Sequence, residues 1–211
     1  LFFKKIKFSI DYRDYHFLTK FTPGFIYKSA NFVAISSPGY ASLLPGGCKV
    51  LLSHNFIFEK IEYRYEKIDK PINISCIGAI RDYEVNSRLI KHLGGNESYL
   101  IVFYGSGVAV DGLKRLSVDL GVRNVLFFGF YEKKEEWTFY KKSGLINLLR
   151  LPDSLNNKIA LPNRLYNSPF YRVPILCYQG TLLANYVEKY GIGLVLTVGE
   201  DFDRAIKNYF S

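Results

Sequence analysis

The chain has 211 residues, 48% of them hydrophobic, and carries 28 Lys and Arg against 19 Asp and Glu, a formal net charge of +9. So much apolar side chain excludes a disordered tail and suffices for a sizeable core; apolar runs such as 99–103 and 125–128 are far too short to span a bilayer. The basic excess favours an anionic partner (a phosphate-bearing ligand, an acidic lipid surface or nucleic acid) or serves solubility alone. The lysine-bearing start, residues 1–8, has no small-residue cleavage site and does not read as a signal peptide. Cys48, Cys76 and Cys177 form no close pair and no C-x-x-C, which argues against a disulfide framework or a structural zinc site and fits a reducing cytoplasm.

The first seventy residues offer strands at 6–11, 32–36 and 49–53, with a single hint of a helix at 22–29. Residues 59–70 are charged and tyrosine-rich, end at Pro71, and read as a linker between residues 1–58 and a second unit at 71–211. From there the pattern alternates. Strands are predicted at 72–77, 99–104, 124–128, 145–149, 173–177 and 192–197, with helices at 82–93, 108–120, 132–142, 162–170 and 181–190 between them. Val85, Leu89 and Leu93 recur at helical spacing, as do Leu113, Leu116 and Leu120, and Gly94, Gly121 and Gly191 stand where helices should stop. Near-continuous Val/Ile/Leu/Phe strands are expected to be buried on both faces of a parallel sheet. Alternation of this kind predicts a doubly wound α/β fold.

In such a sheet ligands bind beyond the carboxyl ends of strands, so the strand-to-helix turns are where function is sought. Gly78-Ala79-Ile80-Arg81 pairs a glycine that lets backbone approach a ligand with an arginine suited to phosphate. Gly105-Ser106-Gly107 lacks the third glycine of a dinucleotide fingerprint, Val110 holding its place. Gly129-Phe130-Tyr131 offers an aromatic face to a base. Gln179-Gly180-Thr181 opens a helix, whose first amide groups make a diphosphate seat.

Several of these residues form an ordered set. Leu161-Pro162-Asn163-Arg164-Leu165-Tyr166, Val173-Pro174-Ile175-Leu176, Gly180-Thr181-Leu182-Leu183 and Glu188-Lys189-Tyr190-Gly191-Ile192-Gly193 follow one another, behind Asn124-Val125-Leu126-Phe127-Phe128-Gly129 and Tyr104-Gly105-Ser106-Gly107. Over roughly residues 71 to 200 this resembles the donor-site region of group 1, family 4-like glycosyltransferases of the GT-B fold. Ile10-Asp11-Tyr12-Arg13-Asp14 and residues 30–36 resemble strands late in that family's N-terminal domain. The resemblance implies a chain that starts inside the N-terminal acceptor domain, lacks most of that half, and continues into the nucleotide-sugar-binding domain at 71–211.

It further implies metal-independent glycosyl transfer from a nucleoside diphosphate sugar, the donor being a substrate and no cofactor being needed, to a carbohydrate or lipid-linked acceptor. The expected setting is cytoplasmic, with peripheral contact at the inner face of the membrane, and no nucleic-acid partner. Gly78, Arg81, Gly129, Phe130, Asn163, Asn167, Gly180 and Thr181 are the donor-binding residues it assigns, with no catalytic residue singled out. The family's two glutamates, eight positions apart, fall here on Ile159 and Asn167, so Asn167 keeps hydrogen-bonding capacity without charge. Competing readings are a non-catalytic nucleotide- or nucleic-acid-binding domain, and a sugar-nucleotide epimerase of the same fold.

Other features read more simply. Asp201-Phe202-Asp203 has the letters of a metal-binding D-x-D, but acidic residues suit the first turn of a helix. His16, His54 and His92 share no ligand spacing. Lys133, Lys134, Lys141 and Lys142 flank Trp137, Phe139 and Tyr140, which reads as a surface helix with its aromatic side in the core more than as a lipid-binding face.

Overall fold

The computed structural model describes residues 7–16, 19, 21–54 and 71–211, so the linker expected at 59–70 lies outside the described residues. Two parallel sheets organise the chain. The smaller one runs β1 (Ile10–Tyr12), β2 (Val33–Ile35) and β3 (Val50–Leu52) in that order, with α1 (Gly24–Ser29) between the first two. Its core is tyrosine-rich: Tyr12, Tyr27 and Tyr40 pack with Val33 and Ile35.

The larger sheet holds β4 (Ile72–Ile77), β5 (Tyr99–Tyr104), β6 (Val125–Gly129), β7 (Leu145–Asn147), β8 (Ile175–Tyr178) and β9 (Gly193–Leu196). Its order is β6-β5-β4-β7-β8-β9, every pair parallel. Numbered within this sheet the order is 3-2-1-4-5-6, the doubly wound arrangement. One face is covered by α2 (Tyr83–Leu93), α3 (Val110–Asp119) and α8 (Phe202–Phe210), which contribute Val85, Leu89, Leu113, Phe202 and Ile206 to one core. The other is covered by α4 (Glu136–Lys142), α6 (Arg164–Phe170) and α7 (Leu182–Tyr190), through Tyr140, Leu165, Leu183 and Val187. The two-sided burial expected of parallel strands holds for the last four residues of β4, for β7 and for β8.

β6 departs from it, with Leu126 38% and Phe128 63% exposed. It is an edge strand, and no position in a local apolar run reveals whether a second neighbour will cover it. Two other expectations shift for local reasons. The strand predicted at 173–177 pairs only from Ile175, because Pro174 has no N–H to give a ladder. The helix predicted at 132–142 divides into a 3-10 turn, Lys133–Glu135, closed by reciprocal Glu132 and Glu135 side-chain caps, and α4.

A short helix that periodicity did not announce, α5 (Leu155–Ile159), joins the two sheets. The Asn156 amide clasps the backbone of Tyr15, accepting from its N–H at 2.8 Å and donating to its carbonyl at 2.9 Å. Ser37 donates to the Ile159 carbonyl, and the Ile159 side chain packs against the small core. Among the described residues no helix is long and apolar enough to cross a membrane.

Candidate functional site

The chain leaves β4 toward β5 on one side and enters β7 on the other, so the sheet's switch point lies between these neighbours. A cavity of about 460 Å³ opens at their carboxyl ends. Its walls are the turn after β4 (Ala79, Ile80, Arg81), the end of β7 (residues 147–150), Arg164 at the start of α6, and Asp14 and His16 from beside the small sheet. The turns are built for close approach. Gly78 sits at φ +100°, where only glycine is comfortable, and a side chain on Gly105 would strike the Gly78 carbonyl, so the two turns lie backbone to backbone.

The floor is polar and uncharged. Asn147 donates to Asn86 and to the Cys76 sulfur, each at 3.0 Å, Asn86 donates to the Asp82 carbonyl at 2.6 Å, and Asn147 accepts from Leu149 N–H at 2.9 Å. This network ties β4, α2 and β7 together beneath the cavity. Burial pushes the Cys76 thiol up to about 12, so it stays protonated and is no nucleophile at neutral pH.

Above the floor stand three guanidinium groups. Arg81 is exposed at the turn, Arg164 donates to the Ile77 carbonyl, and Arg150 is half-buried. Burial first, and then the charge of Arg164, lowers the Arg150 pKa. Among the described residues no carboxylate comes within ion-pair distance of any of the three, although Asp14 and Asp82 share the cavity wall. Like charges crowded into a partly desolvated crevice repel, and an entering anion relieves that repulsion.

A second cavity, of about 390 Å³, lies on the other side of the Gly78 turn. Gly78, Gly105, Phe130, Tyr131, Lys133 and Glu136 line it, and Ala79 belongs to both cavities. Gly129, at φ +77°, turns the chain so that the Phe130 ring stands 83% exposed.

The predicted residues divide accordingly. Arg81 faces the first cavity, while Gly78 and Phe130 face the second, with Gly129 setting the turn. Asn163 lines a small adjoining space of about 190 Å³ with Arg13, Asp14 and Arg150. Asn167 is turned inward, 3% exposed, and donates to Glu136 at 3.1 Å. Gly180 and Thr181 lie on the same rim of the sheet, at the end of β8, but outside the walls of both larger cavities. Gly180 is at φ +80° against Pro152. The Thr181 hydroxyl is spent within the turn, accepting from Ala184 N–H at 3.1 Å and donating to the Tyr178 carbonyl at 3.2 Å. What this turn offers a ligand is therefore amide hydrogen from the first turn of α7, not a hydroxyl.

Sequence reasoning did not single out Arg150, Arg164, Asn147 and Glu136, which line the two cavities of the candidate site. Only the position of Arg164 within the Pro162–Tyr166 motif hinted at it. The simpler readings stand for the other features. Asp201 caps α8, and Asp203 holds Lys207 at 2.7 Å and Tyr99, the first residue of β5, at 2.8 Å, which places it at the opposite rim. Phe139 stacks on Tyr104 at 4.0 Å and Tyr140 is buried, while Trp137 stays 40% exposed beneath Lys141.

No protein-family model and no curated protein matches the sequence. Solved structures do match in shape. The lipopolysaccharide outer core galactosyltransferase WaaB, in its apo form, shares 15% identity over 84% of this chain and 51% of its own, with a TM-score of 0.59. Anabaena HepE in complex with UDP-glucose shares 14% over 93% of this chain and 60% of its own, at 0.64. A glycosyltransferase involved in avilamycin A biosynthesis shares 12% over 85% and 54%, at 0.58. The chain thus spans between half and three fifths of the length of these structures. At such identities the likeness is one of fold, and the fold is that of GT-B glycosyltransferases.

Proposed function

We propose that this chain is the donor-binding half, with part of the acceptor half, of a glycosyltransferase. It moves a sugar from a nucleoside diphosphate sugar to a polysaccharide or glycolipid acceptor, without a metal ion, on the cytoplasmic side and against the inner face of the membrane. One observation carries the reading: three guanidinium groups without carboxylate partners among the described residues meet in the crevice at the switch point of the sheet. That crevice is where open α/β sheets take nucleotides.

When the bond from the sugar's anomeric carbon to the diphosphate breaks, negative charge grows on the departing oxygen. Arg81, Arg150 and Arg164 stabilise that charge more in the transition state than in the ground state, as do amides at the start of α7 held in place by the Thr181 cap. Gly78 and Gly180 let backbone come close to the diphosphate. Phe130, presented by the Gly129 turn, stacks on the base, and Asn163 serves the hydroxyl groups, while Asn167, predicted beside it, is buried against Glu136 and acts through that residue. Side-chain cations thereby supply the charge that a metal ion would otherwise bring.

The test is calorimetric titration of the protein with UDP, GDP, ADP and TDP, beside a DNA duplex. Saturable binding of at least one diphosphate, with one base preferred, is expected. Salt-sensitive binding of the duplex with no response to any diphosphate would overturn the reading in favour of a nucleic-acid-binding domain.

A further inference from the structure

The second cavity contains a carboxylate that the fold does not need as an ion-pair partner alone. Glu136 is 8% exposed, and three donors converge on it: the Tyr131 hydroxyl at 3.1 Å and the Lys133 ammonium at 2.6 Å on Oε2, and the Asn167 amide at 3.1 Å on Oε1. Burial first, and then the Glu136 charge, raises the Tyr131 pKa, so the phenol stays a donor. A carboxylate has about four lone-pair positions. The one left over is on Oε1, and Lys133, whose side chain is 74% exposed, can swing away to vacate another. Two neighbouring acceptors on one carboxylate match the two hydroxyl groups of a vicinal diol.

Position selects which diol. The exposed Phe130 ring lines this cavity together with Glu136, and Ala79 in its wall is shared with the arginine crevice. A side chain on Gly78 would stand 3.9 Å from Arg164 and 4.0 Å from the Tyr131 hydroxyl, so this turn lies between a residue of the arginine crevice and a donor to Glu136. The aromatic face and the carboxylate share one cavity and the guanidinium cluster lines its neighbour, an arrangement that suits base and ribose in the one and diphosphate in the other. We infer that Glu136 is the residue that binds the ribose diol of the nucleotide, and that buried Asn167 positions it. The negative charge missing at position 167 is thus supplied from α4, a different element. The inference rests on the donor-binding reading above and names its ribose site.

The experiment measures affinity by calorimetry for whichever diphosphate the panel identifies, for its 2′-deoxy and 3′-deoxy forms, and for the matching sugar nucleotide. Wild-type protein should prefer the ribo form by about tenfold, as expected for hydrogen bonds to a buried charge. Glu136→Gln should reduce that preference to about twofold or less, weakening the ribo form most and each deoxy form, which keeps one hydroxyl, less; saturable binding of the deoxy forms shows that the variant folds. Asn167→Ala should weaken the preference without abolishing it. Equal wild-type affinity for ribo and deoxy forms overturns the inference, and this holds even if Glu136→Gln fails to fold. A Glu136→Gln effect seen with the sugar nucleotide but not with the diphosphate places the transferred sugar's diol there instead, and overturns the ribose assignment. Absence of binding by every diphosphate sinks the donor reading itself, a result distinct from either.

Discussion

Two carboxyl ends of the same sheet make opposite use of their polar groups. At the end of β8 a glycine, a threonine and a helix start close on themselves: the Thr181 hydroxyl is satisfied by groups within three residues on either side. At the end of β4 and β7 the groups come from distant stretches of chain, and three guanidiniums remain without carboxylate partners among the described residues. In the sequence the first reads as the better phosphate seat, because all its parts are consecutive. A motif that is complete in itself has already used most of its hydrogen-bonding capacity. Capacity left over, with charges crowded and unpaired, marks where a ligand is awaited.

Each region has a buried cysteine, Cys76 in the crevice floor and Cys177 in β8, and both are pushed up to about 12 by burial. The sign follows directly. A thiol whose folded pKa is raised favours the folded state below the unfolded pKa, and that stability is lost as pH rises from about 9 toward 12. The loss should approach about 1.4 kcal/mol per pH unit for each thiol. Urea denaturation from pH 8 upward should show it in wild type and less of it in Cys177→Ala. A pH-independent midpoint would mean that the floor and β8 are far wetter than the packing indicates.

The next effect should separate the regions. Arg164→Ala should weaken diphosphate binding by about ten- to a hundredfold, since a charged donor to phosphate is lost, and Arg164→Lys should not restore it because the planar fork is gone. Calorimetry that finds either variant unaltered would remove the crevice from the diphosphate site. The smallest effect belongs to the self-contained turn. Thr181→Ala should cost about 1 kcal/mol in unfolding free energy through the lost cap, with affinity reduced only a fewfold as the α7 amides lose their alignment. A collapse in affinity at unchanged stability would reverse the roles assigned to the two regions.

Much of this molecule was legible from one-dimensional pattern. Val85, Leu89 and Leu93 announce α2, and Ile72 to Ile77 announces β4, because burial imposes helical or extended spacing on a few consecutive side chains. The glycines at 78, 129 and 180 were found for the same reason, each serving a backbone angle set by its own turn. The exposed face of β6 was not legible, since edge position depends on the order of strands and not on their composition. Nor was the pairing of Glu136 with Asn167, which lie 31 residues apart on two helices of one face.

Sequence alone therefore determined that strands and helices alternate and that the large sheet is parallel. Tertiary structure alone decided that β4 and β7 are neighbours, so that Arg81, Arg150 and Arg164 meet over a floor made by Asn86 and Asn147. Periodicity reports contacts three or four residues away, whereas a crevice is made by crossovers that bring together residues separated by sixty or more positions along the chain.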